Sequence, residues 1–385
     1  MSVRKVCVIT GSRSEYGLFF PILKKILKSN LLELQLTTTS SHHSIEHGLT
    51  YREIENDGFF INEKIKSHLA SNEKSSIVKS AAKTSELLSD SLHRLKPDLV
   101  LLLGDRYETL AAATAALLMN IPIAHIHGGE KTEGAVDEQI RHAITKMSYL
   151  HFCSTEQYRQ RVIQMGEDPK RVFNSGAPGI DNIVNLKPLT KIQLEEELDW
   201  QFNDTSVLFT YHPVTLKDTD LQSNLEFILG VLATFKFNIL FTYANADFGS
   251  HIINQNIEKF CKKNPKKYKV FKNLGQVRYL SAMKYVDLII GNSSSGIIEA
   301  ASFKKPVINI GVRQKGRLQG KNVINCNLIT LKESIIFSLS DYFKNTIKNM
   351  TNIYGTGISS DVIVAELENE PLSVVKKFRD HSEEL

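Results

Sequence analysis

Val6-Cys7-Val8-Ile9-Thr10-Gly11-Ser12-Arg13-Ser14-Glu15-Tyr16-Gly17 runs from an apolar stretch through a glycine and a donor-rich turn into a helical pattern spanning Gly17 to Leu27. A strand without polar alternation has both faces covered, which is the condition of a parallel sheet flanked by helices. Outward from this stretch the same grammar recurs. Apolar strand-like runs appear at Leu34 to Thr38, Leu99 to Leu103, Ile123 to Ile126 and Leu150 to Cys153, with a second helical pattern at Tyr107 to Met119. In the second half they fall at Ser206 to Thr210, Ile239 to Tyr243, Leu288 to Ile290 and Val307 to Ile310. The fold class is therefore α/β, with two Rossmann-like doubly wound domains.

The densest turn chemistry near the midpoint runs from Gly176-Ala177-Pro178-Gly179 to Leu186-Lys187-Pro188, so the linker is placed there. This gives a first domain over 1–180, a second over 190–360 and a C-terminal helix over 361–385. Two such domains facing a central cleft would put the carboxyl ends of both sheets, and the loops after them, at a ligand. Function is expected just after strands.

Composition narrows the class of ligand. The 385 residues are 23% charged and 42% hydrophobic, and 47 Lys and Arg against 42 Asp and Glu leave a net charge of only +5, spread along the chain. Lys262-Lys263-Asn264-Pro265-Lys266-Lys267 reads as a solvated turn, and no basic stripe interleaved with aromatics suggests nucleic acid. An anionic small molecule suits this balance better. Cys7, Cys153, Cys261 and Cys326 are widely spaced, as buried thiols of a reducing compartment are. A strand pattern from Lys5 leaves no room for a signal peptide, and no apolar stretch approaches membrane-spanning length. The expectation is a cytoplasmic protein with no membrane partner.

Two turns offer themselves to phosphate. Gly11 to Gly17 follows a strand and opens a helix, where free N–H groups and the helix dipole favour an anion. It has neither the dinucleotide fingerprint nor the Gly-Lys-Ser/Thr of a P-loop. The stronger turn is Ile289-Ile290-Gly291-Asn292-Ser293-Ser294-Ser295-Gly296-Ile297-Ile298-Glu299, whose hydroxyls and N–H groups suit a diphosphate. Glu299, on the first turns of the following helix, can accept hydrogen bonds from two vicinal ribose hydroxyls. Arg313, after the next strand, is a further phosphate candidate.

Chemistry-bearing residues cluster in the first half. Gly104-Asp105-Arg106-Tyr107-Glu108 follows one strand, His125-Ile126-His127-Gly128-Gly129-Glu130 ends the next, and Asp137-Glu138 opens a helix carrying Arg141 and His142. Three carboxylate loops thus converge, as proton transfer at a carbon requires. His125, His127 and Glu130 could be imagined around a metal, but no third ligand stands at metal spacing, and the His42-His43 and His47 loop is equally weak. No metal is assigned. His42 follows a strand and is a candidate for lining the substrate pocket. His212, in Thr210-Tyr211-His212-Pro213, follows the first strand of the second domain and suits a general acid or phosphate-binding role.

These motifs, taken in order from about residue 3 to about residue 330 and with Arg313-Gln314-x-Gly316-Arg317 included, resemble the hydrolysing UDP-N-acetylglucosamine 2-epimerases of sialic-acid and legionaminic-acid pathways. The resemblance implies a GT-B-like fold, a C-terminal helix crossing back to the first domain, and a homodimer or homotetramer. It makes Arg13, Gly17, Arg106, Asn245, Leu274, Ser293, Ser294, Glu299 and Arg313 UDP-binding positions, Leu274 lying near the base. Asp105, Asp137 and His212 match the family's catalytic positions; Glu130 is added as a catalytic candidate, and His42, His127 and Arg141 are expected in the sugar pocket. One departure stands out: many members carry Glu where this chain has His127, so Glu130 or His127 itself must take over if that Glu is a base.

The implied reaction is elimination of UDP from C1 with loss of the C2 proton, giving a 2-acetamidoglycal, followed by addition of water with inverted C2. No redox cofactor is required. UDP-N-acetylglucosamine, yielding N-acetylmannosamine, is the first substrate expected, with a UDP-2,4-diacetamido-6-deoxy sugar close behind. The rival class, a GT-B glycosyltransferase, shares the fold but needs no C2 base, so the clustered Asp105, Glu130 and Asp137 speak against it.

Overall fold

The computed structural model describes residues 3–45, 48–67, 74–133, 135–203, 205–214, 220–244 and 249–380. Among the described residues, thirteen strands form two all-parallel sheets. The chain divides into two compact units, one comprising Met1–Glu130, Asp137–Val184 and Tyr354–Leu385, the other Lys131–Val136 and Asn185–Ile353.

In the first unit the strands are β1 (Arg4–Thr10), β2 (Leu32–Thr39), β3 (Glu63–Ile65), β4 (Leu99–Leu103), β5 (Ile123–Ile126), β6 (Leu150–Cys153) and β7 (Val172–Asn174), in the order β3-β2-β1-β4-β5-β6-β7. Alternation of side chains across the sheet builds two cores at once. Val6, Val8, Leu99 and Leu101 pack with Phe19, Ile22 and Leu23 of the helix Arg13–Ile26 on one face. Cys7, Ile9, Val100 and Leu102 pack with Leu88, Leu92 and Ala112 on the other. Each of these strand residues is buried, which is why the sequence shows runs rather than alternation. The helix Ser359–Asn369 adds Ile363, Val364 and Leu367 to the first of these cores. Its first turn is fixed by buried Asp181, which accepts the N–H groups of Ser359 at 2.9 Å and Ser360 at 2.6 Å.

In the second unit β8 (Thr205–Thr210), β9 (Phe237–Thr242), β10 (Tyr268–Phe271), β11 (Leu288–Gly291), β12 (Val307–Ile310) and β13 (Val323–Cys326) lie in the order β10-β9-β8-β11-β12-β13. Trp200 is buried on one face of this sheet with Leu194, Leu198, Leu208 and Leu240.

Both sheets have the doubly wound order, and in each the winding reverses beside the first strand. β1 pairs with β2 on one side and β4 on the other, and β8 pairs with β9 and β11. A crevice opens where consecutive loops leave in opposite directions. These two switch points locate the turns after β1 and β4, and after β8 and β11, as binding positions.

The helix after β1 begins earlier than the sequence pattern indicates, at Arg13 rather than Gly17. Ser12 caps it by accepting the Glu15 N–H, while the Glu15 carboxylate accepts the Gly11 N–H at 2.7 Å, so the turn closes on itself. Among the described residues no helix is long and apolar enough to cross a membrane.

Candidate active site

At the first switch point, the strand ends present a ring of polar side chains held from below. Glu108 is only 3% exposed and accepts the Arg106 fork, from Nε at 3.2 Å and Nη2 at 3.4 Å, together with the Ser40 hydroxyl at 2.9 Å. A forked pair of this kind fixes both the plane and the direction of the guanidinium. Arg13 and Gly17 lie in the first turns of the adjacent helix, and the Gly17 carbonyl accepts from Asn182 at 2.7 Å. Glu15 is buried beside this ring. Burial, reinforced by the charge of Glu108, raises its carboxyl to about 7. Spacing alone does not single out Glu15, because a Glu at the third position of a helix is first of all a capping residue, nor Glu108, whose pairing with Arg106 and Ser40 depends on side-chain directions.

The three carboxylate loops meet at Arg141, which is 1% exposed. Its guanidinium binds the Asp105 carboxylate, donates to the Glu130 carbonyl at 2.8 Å and reaches Glu138 at 3.2 Å. One buried cation therefore ties the loop after β4, the loop after β5 and the helix Asp137–Met147 together, and Asp137 opens that helix. A buried charge is tolerated only when paired in this way. The arrangement holds carboxylates in fixed directions at the carboxyl ends of two neighbouring strands.

The histidines divide by what their rings touch. His42 is fully buried, with Nε2 3.1 Å from Thr10 Oγ1 and Nδ1 2.8 Å from Thr50 Oγ1. Burial lowers it to about 3, so it stays neutral and holds the end of β1 to the 3-10 turn Ser40–His43. His125 Nε2 sits 2.7 Å from the Gly104 carbonyl, which can only accept, so that nitrogen carries the proton, and Nδ1 stands 3.3 Å from Thr145 Oγ1, whose hydroxyl donates to the Arg141 carbonyl at 2.9 Å. It too is lowered to about 3 by burial. His127 differs: Nδ1 is 2.5 Å from Glu130 Oε1, and its backbone is left-handed at φ 68. Gly129, two residues on, is also left-handed, and a Cβ there would lie 2.5 Å from the Tyr158 carbonyl. The loop therefore admits only glycine at that position.

In the second unit Asn292 organises the switch point. Its side chain accepts the His212 N–H at 2.7 Å and donates to the His212 carbonyl at 2.8 Å, while its own carbonyl receives Arg313 at 3.2 Å and Gln314 at 2.9 Å. Gly291 before it must be glycine, since a Cβ would stand 1.8 Å from the Thr210 carbonyl. Thus the end of β8, held by the Asn292 side chain, and the loop after β12, held by its backbone carbonyl, are both joined to the turn after β11 through one residue that is 1% exposed. Asn292 stood inside the motif read from sequence, yet the serines drew the assignment. Ser293 caps the helix Ser294–Ile298, and Glu299 sits at its end, before the 3-10 turn Ala300–Phe303. Leu274 precedes the helix Gly275–Tyr285, with its side chain in the core beside Trp200. Asn245 and His47 lie outside the described residues.

Comparison with known proteins agrees with this architecture. The sequence profile described as UDP-N-acetylglucosamine 2-epimerase matches residues 24–368. The GDP/UDP-N,N'-diacetylbacillosamine 2-epimerase (hydrolyzing) of Campylobacter jejuni is 44% identical over 345 residues, covering 89% of this chain and 90% of that protein. The polysialic acid biosynthesis protein P7 of Escherichia coli is 36% identical over 356 residues, covering 91% and 90%. Among solved structures, UDP-GlcNAc 2-epimerase from Neisseria meningitidis superposes with a TM-score of 0.79 at 22% identity, over 94% of this chain and 99% of that one, which establishes the GT-B-like two-domain α/β fold. With most of its length matched both by the profile and by relatives above 30% identity, the chain belongs to the UDP-N-acetylglucosamine 2-epimerase family.

Proposed function

We propose that this chain is a hydrolysing 2-epimerase of a UDP-linked 2-acetamido-2-deoxy sugar. The observation that carries the reading is the buried Arg141, which holds Asp105 and the Glu130 and Asp137 loops at adjacent strand ends. A protein that only bound the nucleotide would have no use for oriented carboxylates at that place. Departure of UDP from C1 ahead of loss of the C2 proton develops positive charge on the sugar ring, which fixed carboxylates stabilise electrostatically. Asp105, Asp137 and Glu130 are assigned to this chemistry; Arg141 orients the Asp105 carboxylate directly and holds the Glu130 loop through its backbone carbonyl.

UDP is assigned to the serine turn, with Ser293 and Ser294 on the diphosphate, Glu299 on the ribose, and Arg313 on the phosphates. His212, fixed by Asn292, is assigned to the leaving phosphate oxygen. Arg13, Arg106 and Gly17 add donors from the turns after β1 and β4, and Asn245 and Leu274 complete the nucleotide contacts in this reading. A cytoplasmic homodimer or homotetramer is part of the proposal.

Two substrates fit, differing at C4 and C6 of the sugar. The relative from Campylobacter jejuni, named for a diacetamido sugar, favours a UDP-2,4-diacetamido-6-deoxy sugar. The relative named for polysialic acid biosynthesis favours UDP-N-acetylglucosamine, with N-acetylmannosamine as product. Incubating the protein with each UDP-sugar in turn and identifying the released reducing sugar by NMR decides between them. Release of a C2-inverted sugar from either supports the reading, and release from neither refutes it.

A further inference from the structure

We propose that His127 is the catalytic base of this chain, acting through Nε2, and that Glu130 is its positioning residue rather than a base in its own right. The inference rests on the epimerase reading and assigns the proton transfer within it. A carboxylate oxygen only accepts hydrogen bonds, so the 2.5 Å contact between Glu130 Oε1 and His127 Nδ1 puts the ring proton on Nδ1. The lone pair of the neutral ring is then on Nε2. Ser154 donates its hydroxyl to the same Glu130 oxygen at 2.7 Å and so fixes the carboxylate, while Arg141 holds the backbone carbonyl of the same residue. Nε2 is buried and has no hydrogen-bond partner among the described residues. Buried polar atoms are nearly always paired, and an unspent lone pair on a ring oriented by a carboxylate suits a base; His151 shows the same pairing with Glu167 but lies fully buried within β6, whereas His127 follows the carboxyl end of β5, where the other catalytic candidates stand.

The backbone gives an independent reason. His127 holds a left-handed conformation that glycine would adopt without cost, in a loop where glycine follows at both next positions. Strain of this sort persists where a side chain is needed at that spot. His125, two residues earlier, shows the contrast: its Nε2 is spent on the loop after β4 and its Nδ1 faces Thr145 of the helix Asp137–Met147.

In the step proposed, Nε2 takes the C2 proton. The C–H electron pair becomes the C1–C2 double bond as the C1–O bond breaks, and UDP leaves with the bonding pair. The imidazolium so formed is stabilised by Glu130 and returns its proton to solvent. In the second step one of Asp105 and Asp137, having taken a proton from solvent after UDP departs, gives it to C2 from the opposite face, water adds its hydroxyl at C1, and the water proton passes to solvent, so the carboxylate ends ionised as it began.

The test uses the full chain and whichever UDP-sugar the wild type turns over. His127→Gly relieves the backbone but strips a buried partner from Glu130, so a cooperative urea transition establishes that it is folded before its turnover is read. Its turnover should fall at least about 10²-fold, UDP affinity should be unchanged, and added imidazole should restore turnover in proportion to the free base. Glu130→Gln keeps shape and an acceptor oxygen but loses the charge; its kcat should fall about 10-fold or more with little change in KM, and imidazole should not rescue it. Wild-type turnover by His127→Gly, or an inactive His127→Gly indifferent to imidazole, overturns the assignment while leaving the epimerase reading intact. Failure of the wild type itself to release UDP overturns both.

Discussion

Replacing Asn292 by alanine removes a residue proposed to touch no substrate but on which the second unit's site is built. Two side-chain hydrogen bonds to the His212 backbone, at 2.7 and 2.8 Å, disappear, and the His212 N–H and C=O are left in a place from which water is excluded. Each stranded group costs about 1 to 3 kcal/mol, so the variant should lose about 3 kcal/mol of stability. With a urea dependence of about 1 to 3 kcal/mol per molar, the midpoint should fall by roughly 1 to 3 M. The chain has a single tryptophan, and Trp200 lies in the core of this same unit, so its fluorescence reports this unit's unfolding. Displacing His212 should also slow turnover about 10²-fold, the usual consequence of misplacing a group by about an ångström, while the backbone carbonyl at this position still receives Arg313. A midpoint shifted by less than about 0.5 kcal/mol equivalent, with turnover unchanged, would refute the idea that this amide organises the site.

Other outcomes follow from the same geometry. Arg313→Ala and Glu299→Ala each remove charge-assisted hydrogen bonds worth about 1.5 to 3 kcal/mol, so calorimetry should find UDP bound roughly 10- to 100-fold more weakly; unchanged affinity in both would misplace the nucleotide. Asp105→Asn and Asp137→Asn should each lower turnover at least about 10²-fold with UDP affinity nearly unchanged, and collapse of UDP binding in either would point to a structural role. Glu15 has a folded pKa of about 7, raised by burial and Glu108 above its ordinary 4.5. The folded state therefore holds the proton more tightly, and the group's stabilising contribution is complete below pH 4.5 and is lost as pH rises through about 7. Glu15→Gln should flatten that decline, by on the order of 3 kcal/mol at most, and identical pH–stability curves for the two proteins would contradict it.

The interior strands were legible because burial on both faces forces continuous apolar runs. β4, β5, β6 and β12 fall where the sequence places them. The four strands that sequence reading missed, β3, β7, β10 and β13, are the outer edges of the two sheets. An edge strand is covered less completely, so Glu63-Lys64-Ile65 and Tyr268-Lys269-Val270-Phe271 carry charges that blur the pattern. The site was legible as motifs but not as connections. That Asp105, Glu130 and Asp137 loops share Arg141 is a consequence of strand order, since β4 and β5 are neighbours in the sheet. That His42 is spent on two threonines, or that Asn292 rather than a serine joins three loops, depends on side-chain directions that spacing does not encode.

The central claim is that UDP leaves by elimination and that C2 passes through a planar state. It is tested most directly by running the reaction in deuterium oxide enriched in oxygen-18 water and examining both products by NMR and mass spectrometry. The account predicts a released sugar with inverted C2 configuration, deuterium at C2 and oxygen-18 at C1, alongside UDP without the heavy oxygen. A sugar that keeps its C2 proton, or heavy oxygen appearing in UDP, would contradict it.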